Sequence, residues 1–244
     1  MIQIEPIALN SLKDACVEQL ERLILSGEFG AGERLPSERD LAGQLGVSRP
    51  VLHQALVVLD AKGLVQIEPR RGVFVCDYRR DASIPLYTTL MAHSDGAYMP
   101  ELLSSLMAAR ILIETETARL AALNHSEPEL SGLLSLLENG QQAARGRNAE
   151  SLVAYDFSFH QNIAIASGNL MYPMIINSLK NVHTNLAGSF YHSYMGGPVI
   201  FEVLVFHNEL VDAIQQRQAV RAGDIMVAML EHGEKYLREH LSQG

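Results

Sequence analysis

Three histidines and one aspartate in the second half of the chain have the spacing and surroundings of a metal site. Asp156 and His160 are four residues apart, so they share one face of a helix. His160, His207 and His232 each have apolar neighbours three and four positions away. All four groups are therefore expected to point into a helical interior, where buried polar groups need partners. One shared ion would satisfy all of them, and imidazoles with a carboxylate suit zinc first, with nickel, iron or manganese as alternatives.

The same pattern has an ordinary structural interpretation. A single histidine on an apolar face is usually a core residue with a simple hydrogen bond, and Asp-x-x-x-His is a weak motif by itself. His183, which has Leu179, Leu186 and Ala187 at helical spacing, illustrates how easily the pattern arises. Spacing alone therefore leaves metal ligation and core hydrogen bonding open.

Basic residues in the first third of the chain suggest a second kind of chemistry, the binding of nucleic acid. The net charge is −9. Residues 1–80 nevertheless carry ten basic and eleven acidic groups, and residues 81–244 carry nine and seventeen, so the acid is concentrated in the second part. A local excess of positive charge favours contact with phosphates. The segment 34–71 has four acids against six basic residues, which are Arg34, Arg39, Arg49, Lys62, Arg70 and Arg71.

The elements around these basic residues follow a recognisable order. Apolar periodicity predicts helices over 11–27, 37–46 and 48–62, with Ser37 and Ser48 as caps of the second and third. The period then changes to two short strands, at 64–68 and 73–76, joined by a turn that contains two arginines. Three helices followed by a basic hairpin predict a winged helix-turn-helix.

In such a motif the third helix enters the major groove and its first residues reach base edges. Arg49 is expected to donate a bidentate pair of hydrogen bonds from its guanidinium to O6 and N7 of a guanine, the commonest base-specific contact. The arginines before and within the second helix and in the hairpin suit phosphates or the minor groove, and Lys62 is a weaker phosphate candidate. The predicted DNA interface comprises Arg34, Ser37, Arg39, Ser48, Arg49, His53, Arg70, Arg71 and Gly72.

This part of the chain closely resembles the DNA-binding domain of the GntR family. The motifs that carry the resemblance are GERLPSERDLA at 32–42, LGVSR at 45–49, ALVVL at 55–59 and RGVFV at 71–75. One departure concerns the third helix, where the family usually has VREAL and this chain has LHQAL at 52–56. His53 thus replaces an arginine that commonly contacts DNA, so no operator sequence can be inferred from the family.

From residue 97 the sequence predicts an all-helical domain. About six helices of about 15–24 residues are expected, with breaks near 125–128, 146, 168–169, 196–198 and 223. Before them, 79–96 is expected to be a linker with a short helix around 85–92. The fold class is therefore mainly α: a winged helix-turn-helix at 1–78 and an all-α bundle at 97–244.

The helical part is similar to the ligand-binding FCD domain of FadR-like GntR regulators, through DFSFH at 156–160, SGN at 167–169, HNELVDAI at 207–214 and AMLEH at 228–232. The resemblance implies a metal held by Asp156, His160, His207 and His232, which helps to bind a carboxylate effector. The stretch from His207 to His232 is longer than usual, so either a loop near 215–221 is extended or His232 is displaced from the site.

The resemblance also extends to RILIE at 110–114, an Arg-x-x-x-Glu motif that implies that Arg110 and Glu114 bind the effector. A buried arginine suits bidentate capture of a carboxylate. A structural ion pair between Arg110 and Glu114 is an equally good interpretation.

The sequence therefore predicts a cytoplasmic transcription regulator that is not an enzyme. It is expected to repress through operator DNA as a homodimer, to respond to a small organic acid and to have no membrane contact, since no secretory signal or run of about 18 apolar residues is present. Two cysteines far apart give neither a zinc spacing nor a disulfide framework. The alternatives are a metal-responsive regulator and, less favoured, a helical metallohydrolase that activates water.

Overall fold

The computed structural model describes residues 12–81 and 99–241, and the chain divides into two compact units. In the first unit the helices are α1 (Leu12–Leu25), α2 (Glu38–Leu45), α3 (Arg49–Ala61) and the short α4 (Tyr78–Asp81). The hairpin consists of β1 (Val65–Glu68) and β2 (Gly72–Val75), which are antiparallel with Val65 opposite Val75.

The first unit has a small core made by all of its larger elements. Leu20 of α1, Leu52 and Leu59 of α3 and Leu64 before β1 have no exposed surface. The Ser37 hydroxyl caps α2 by accepting a hydrogen bond from the Asp40 backbone N–H at 3.3 Å. Three helices and a two-stranded wing confirm the fold class predicted for this part of the chain.

The second unit is helical throughout its described residues. Its elements are α5 (Met99–Asn124), α6 (Glu127–Arg145), α7 (Ala149–Ala166), α8 (Met171–Ser178), α9 (Lys180–Tyr194), α10 (Pro198–Gln215) and α11 (Ala219–Leu241). Helix α5 packs along α11, and α7 packs against α5, α6 and α9. Within the described residues, no helix is long and apolar enough to cross a bilayer.

Two helix boundaries differ from the sequence prediction. The break expected at Gly223 falls instead at residues 216–218, and Gly223 lies inside α11. A Cβ on Gly223 would lie 2.8 Å from Arg119 Cγ, so this glycine permits close packing of α11 on α5 rather than ending a helix. A further break separates α8 from α9 at Leu179. The short helix expected around 85–92 lies outside the described residues.

Candidate functional site

The second unit contains a cavity of about 70 Å³ between α5, α7, α9, α10 and α11. Apolar side chains from α9 and α11 form one part of its wall, among them Phe190 and Met229. The polar side chains that line it are Arg110, Asp156, His160, His183, Tyr191 and His207. The cavity thus brings most of the chemistry-bearing residues of this unit together.

Three of the four residues expected to bind metal meet at this cavity. Asp156 and His160 lie on one face of α7, as their spacing predicts, and α10 brings His207 beside them. One ligand atom from each residue lies within 4.8 Å of the other two. We call Asp156, His160 and His207 the Asp-His cluster.

Outer contacts hold the carboxylate of Asp156 in place. His183 donates from Nε2 to Asp156 Oδ2 at 2.7 Å, and the Tyr191 hydroxyl donates to Oδ1 at 2.8 Å. Burial acts to raise the pKa of Asp156, but the hydrogen bond from His183 and the neighbouring imidazoles lower it well below its usual range. Asp156 is therefore ionised and oriented at neutral pH.

His207 is fully buried and has one satisfied ring nitrogen. Its Nδ1 lies 2.8 Å from the Tyr155 hydroxyl, and its ring stacks on Phe159 at 4.0 Å between centroids. Burial lowers the pKa of His207 to about 3 despite the nearby Asp156, so the imidazole is neutral. Among the described residues its Nε2 has no hydrogen-bond partner, and Asp156 Oδ1 is 3.9 Å away. When Nδ1–H donates to Tyr155, the Nε2 lone pair faces the cluster.

Arg110 and Glu114 form the ion pair that the sequence left as one of two interpretations. Arg110 Nε donates to Glu114 Oε1 at 2.6 Å, and Glu114 Oε2 contacts His160 Nδ1. Burial acts to raise the pKa of Glu114, but Arg110 and His160 together lower it well below its usual range. Arg110 lines the cavity, whereas Glu114 supports Arg110 and His160 from behind.

His232 was expected in this cluster, but the structure places it elsewhere. Its Nε2 lies 2.8 Å from Glu202 Oε2, and its ring packs against Phe206 and Tyr236. The stretch from His207 to His232 is longer than usual in the family, but the loop between α10 and α11 comprises only residues 216–218. The added length therefore lies within the helices, and it displaces His232 along α11. Met229, three residues earlier, faces the cavity in its place.

The donor set fits a divalent metal ion. Histidines bind metal ions as neutral imidazoles. In that state Arg110 and Glu114 balance each other, and Asp156 leaves the cavity wall with one uncompensated negative charge. Two imidazoles and a carboxylate are ligands that zinc, iron, nickel and manganese accept, and metal-bound histidines usually donate their other N–H to an oxygen. Tyr155 beside His207 and Glu114 beside His160 supply such oxygens. A protein with three such ligands leaves coordination positions free for another molecule.

The first unit presents most of its predicted DNA residues to solvent. All of the nine are exposed except Gly72, and the Arg39 side chain is 80% exposed. Arg70 at the wing tip has φ of 65°, a left-handed conformation that is uncommon for a non-glycine residue. Gly72, at φ 120°, admits the guanidinium of Arg34, since a Cβ there would lie 2.7 Å from Arg34 Nε. The arginines of the wing and of α3 are thus exposed to solvent.

The two units match two family models. Residues 12–75 match bacterial regulatory proteins of the gntR family, and residues 105–232 match the FCD domain. The chain is 32% identical over 176 residues to a fatty acid metabolism regulator protein of Yersinia enterocolitica. This match covers 72% of this chain and 70% of that protein. It is 34% identical over 165 residues to the transcriptional repressor NanR of Klebsiella aerogenes, covering 67% and 62%.

Solved structures show the same fold at low identity. A Listeria monocytogenes protein described as Lar, which controls expression of the agr system, has a TM-score of 0.59 at 16% identity and covers 98% of this chain and 99% of its own. Streptococcus agalactiae GntR has a TM-score of 0.51 at 23% identity, with 91% and 99% covered.

The chain therefore belongs to the GntR family of bacterial transcription regulators, with an FCD domain after the DNA-binding domain. This confirms the resemblance identified from the sequence. The relatives are regulators and not enzymes, so the metallohydrolase alternative is wrong. Sequence reasoning missed the role of His183, although its apolar surroundings were the same signal that singled out His160 and His207.

Proposed function

We propose that this regulator is a repressor whose operator affinity is controlled by a small carboxylate, bound together with a divalent metal ion at the Asp-His cluster. The observation that carries the proposal is the convergence of Asp156, His160 and His207 within 4.8 Å of one another, at a buried His207 Nε2 that has no hydrogen-bond partner in the part of the chain that the structure describes. A repressor role draws support from the relative named as the repressor NanR.

The ion would be held by Asp156, His160 and His207. The side chains of these ligands are oriented by four neighbours outside the cluster, which are His183, Tyr191, Tyr155 and Glu114. When bound, the ion supplies a Lewis-acidic position that an anionic ligand can fill. Zinc is the first candidate because its protein sites with three nitrogen or oxygen ligands keep a position open, and nickel, iron and manganese accept the same donors. His232 is not assigned to this set.

Charge explains why the effector would be a carboxylate. With the histidines bound to metal as neutral imidazoles, Asp156 contributes one negative charge, so a divalent ion brings the site to +1 and one carboxylate returns it to neutrality. A neutral total is what a buried site favours. Arg110 lines the cavity and in the described part of the chain hydrogen-bonds only Glu114 through Nε, so its remaining N–H groups can reach the carboxylate. The small volume, about 70 Å³, favours a short organic acid over an acyl chain.

At the other end, α3 would enter the major groove with Arg49 on a base, while Arg34, Arg39, Arg70 and Arg71 contact the backbone. We assign residues 1–78 to DNA binding, 79–96 to a linker and 97–244 to sensing. The regulator would act in the cytoplasm as a homodimer, with one copy of the chain on each half-site of the operator. The effector would favour one arrangement of the two DNA-binding domains over another.

Metal content measured by elemental analysis tests the metal site. The wild-type protein is expected to hold about one ion per chain, and His160→Ala to lose it. His232→Ala is the matched control, because His232 lies outside the cluster, and it is expected to keep its metal. Circular dichroism verifies that each variant is folded. If the wild-type protein holds no metal, or if both variants lose it equally, the assignment of the metal to the Asp-His cluster is contradicted.

Binding of operator DNA separates the two kinds of sensor. A carboxylate sensor changes its DNA affinity when the acid is added to metal-loaded protein, whereas a metal-responsive regulator changes it when the ion alone is added or removed.

A further inference from the structure

A hydrogen bond joins the two helices of the helix-turn-helix at the surface that would meet DNA. His53 Nδ1 on α3 lies 3.2 Å from Glu38 Oε1 on α2. The His53 side chain is 52% exposed and that of Glu38 is 30% exposed. His53 follows Arg49 by four residues, so both are on one face of α3. The Nε2 atom of His53 has no hydrogen-bond partner within the described residues.

The partner fixes which nitrogen of His53 carries the proton. An ionised carboxylate only accepts hydrogen bonds, so the Nδ1 that contacts Glu38 must be the donor. In the neutral imidazole the other nitrogen, Nε2, is then an acceptor. Glu38 is the first residue of α2, whose start is anchored by the Ser37 cap, so the carboxylate is held where His53 can reach it.

We propose that Glu38 sets the tautomer of His53, and that His53 thereby reads an exocyclic amino group of adenine or cytosine in the major groove. This inference rests on the proposed entry of α3 into that groove. Amino groups are the hydrogen-bond donors that the major groove displays, whereas guanine O6 and N7 and thymine O4 are acceptors. A neutral Nε2 acceptor is matched by the former and repelled by the latter.

The same geometry disfavours a phosphate contact by His53. Phosphate oxygens only accept hydrogen bonds, so an acceptor at Nε2 gains nothing from them. The adjacent carboxylate of Glu38 also repels the DNA backbone. Glu38 is thus a positioning residue that acts through His53, and the pair specifies a base rather than adding affinity for any sequence.

Selection from a random DNA library by the full-length protein at pH 8.0, followed by sequencing, tests the proposal. Wild type is expected to enrich one base pair, in one orientation, at the half-site position whose adenine or cytosine amino group His53 reaches. His53→Ala loses that enrichment and keeps the rest of the profile. Glu38→Gln has an amide that either donates to or accepts from Nδ1, so both tautomers form, and discrimination at that one position falls by about tenfold.

Glu28→Gln is the matched control, since it removes one exposed carboxylate from the same unit without touching His53, and it is expected to leave the profile unchanged. A base profile that His53→Ala leaves unchanged, or identical profiles for wild type and Glu38→Gln, would overturn the inference while DNA binding stands. A wild-type protein that enriches no sequence would overturn the proposed DNA function and the inference with it.

Discussion

His183 donates a hydrogen bond from Nε2 to Oδ2 of Asp156 at 2.7 Å, across the gap between α9 and α7. This contact supports the carboxylate of the Asp-His cluster from a helix that contributes no member of that cluster. His183 is buried, and its pKa is lowered by burial and by the nearby Arg110, so it acts as a neutral donor.

Replacing His183 by alanine is expected to weaken metal binding by about 10–100-fold, because partners that orient a ligand contribute that much to affinity. Competition with a chelating dye measures the change. His192→Ala on the same helix is the control, since its side chain is 62% exposed, and it should match wild type. Unchanged affinity in His183→Ala would show that Asp156 does not depend on this hydrogen bond.

Gly140 offers a test of how tightly Tyr155 is held. A Cβ at Gly140 would lie 2.5 Å from Tyr155 Cζ, so Gly140→Ala must displace the ring whose hydroxyl contacts His207. We expect a loss of about 1–3 kcal/mol in unfolding free energy, the usual cost of overpacking. Weaker metal binding should accompany it.

Gly132→Ala on the same helix provides the contrast. Within the described residues nothing lies within 4 Å of that Cβ, so the substitution should stabilise the helix by about 0.5–1 kcal/mol. Urea unfolding of both variants measures the difference. Equal effects at the two positions would mean that the contact with Tyr155 is unimportant.

The Arg110–Glu114 pair is expected to be costly to break and cheaper to remove. Their side chains are 12% and 2% exposed, so Arg110→Met leaves a buried carboxylate uncompensated and should lower the unfolding free energy by about 3–5 kcal/mol. Adding Glu114→Gln to that variant should recover part of the loss. A double variant no more stable than Arg110→Met would contradict the buried-charge explanation.

The unfolding free energy of the metal-free protein is expected to fall as the pH falls below about 6.5. The pKa of His207 is about 3 in the folded chain and about 6.5 when unfolded, so the unfolded state binds more protons between these values. The contribution of His207 is complete above pH 6.5 and is lost as pH falls from there towards 3. Asp156 and Glu114, whose folded pKa values are lowered, add to the loss below about pH 4.

Thermal unfolding in a chelator at pH 7.5, 6.0 and 5.0 measures this dependence. His207→Gln should weaken this dependence, because the substituted side chain does not titrate; the part due to His183, whose pKa is also lowered by burial, should remain. A wild-type melting temperature that stays constant from pH 7.5 to 5.0 would contradict a neutral buried His207.

The arginines of the first unit are expected to separate into two behaviours on DNA. Arg39→Ala should weaken binding equally for all sequences and reduce the slope of log affinity against log salt by about 1, as for one phosphate contact. Arg49→Ala should instead relax selectivity at one base position. Salt titrations with a selected operator and a scrambled one measure both. Sequence-dependent loss in Arg39→Ala would exchange the roles of these residues.

Much of this architecture could be predicted from local sequence signals. Ser37 and the glycine at 46 delimit α2, and the Pro198 break begins α10, because caps and helix breakers act within a few residues. The helix break predicted at Gly223 was wrong, because this glycine leaves room for Arg119 of α5. No local sequence pattern records such a contact between helices that are distant in the sequence.

The site was predictable only in part for the same reason. Asp156 and His160 share a helix, so their spacing fixes their common face. Whether His183 or His232 approaches them depends on the register of α9 and α11 against α7, which packing of whole helices determines. His183 and His232 have similar apolar neighbours, and only the tertiary structure distinguishes the residue that reaches Asp156 from the one that pairs with Glu202.

Operator binding by metal-loaded protein, measured by fluorescence anisotropy during titration with short carboxylic acids, tests the central claim most directly. The account predicts that at least one acid releases wild type and His232→Ala from DNA, that His160→Ala does not respond, and that DNA weakens acid binding by the same factor. Operator affinity that no carboxylate changes, or a response that His160→Ala retains, would contradict it.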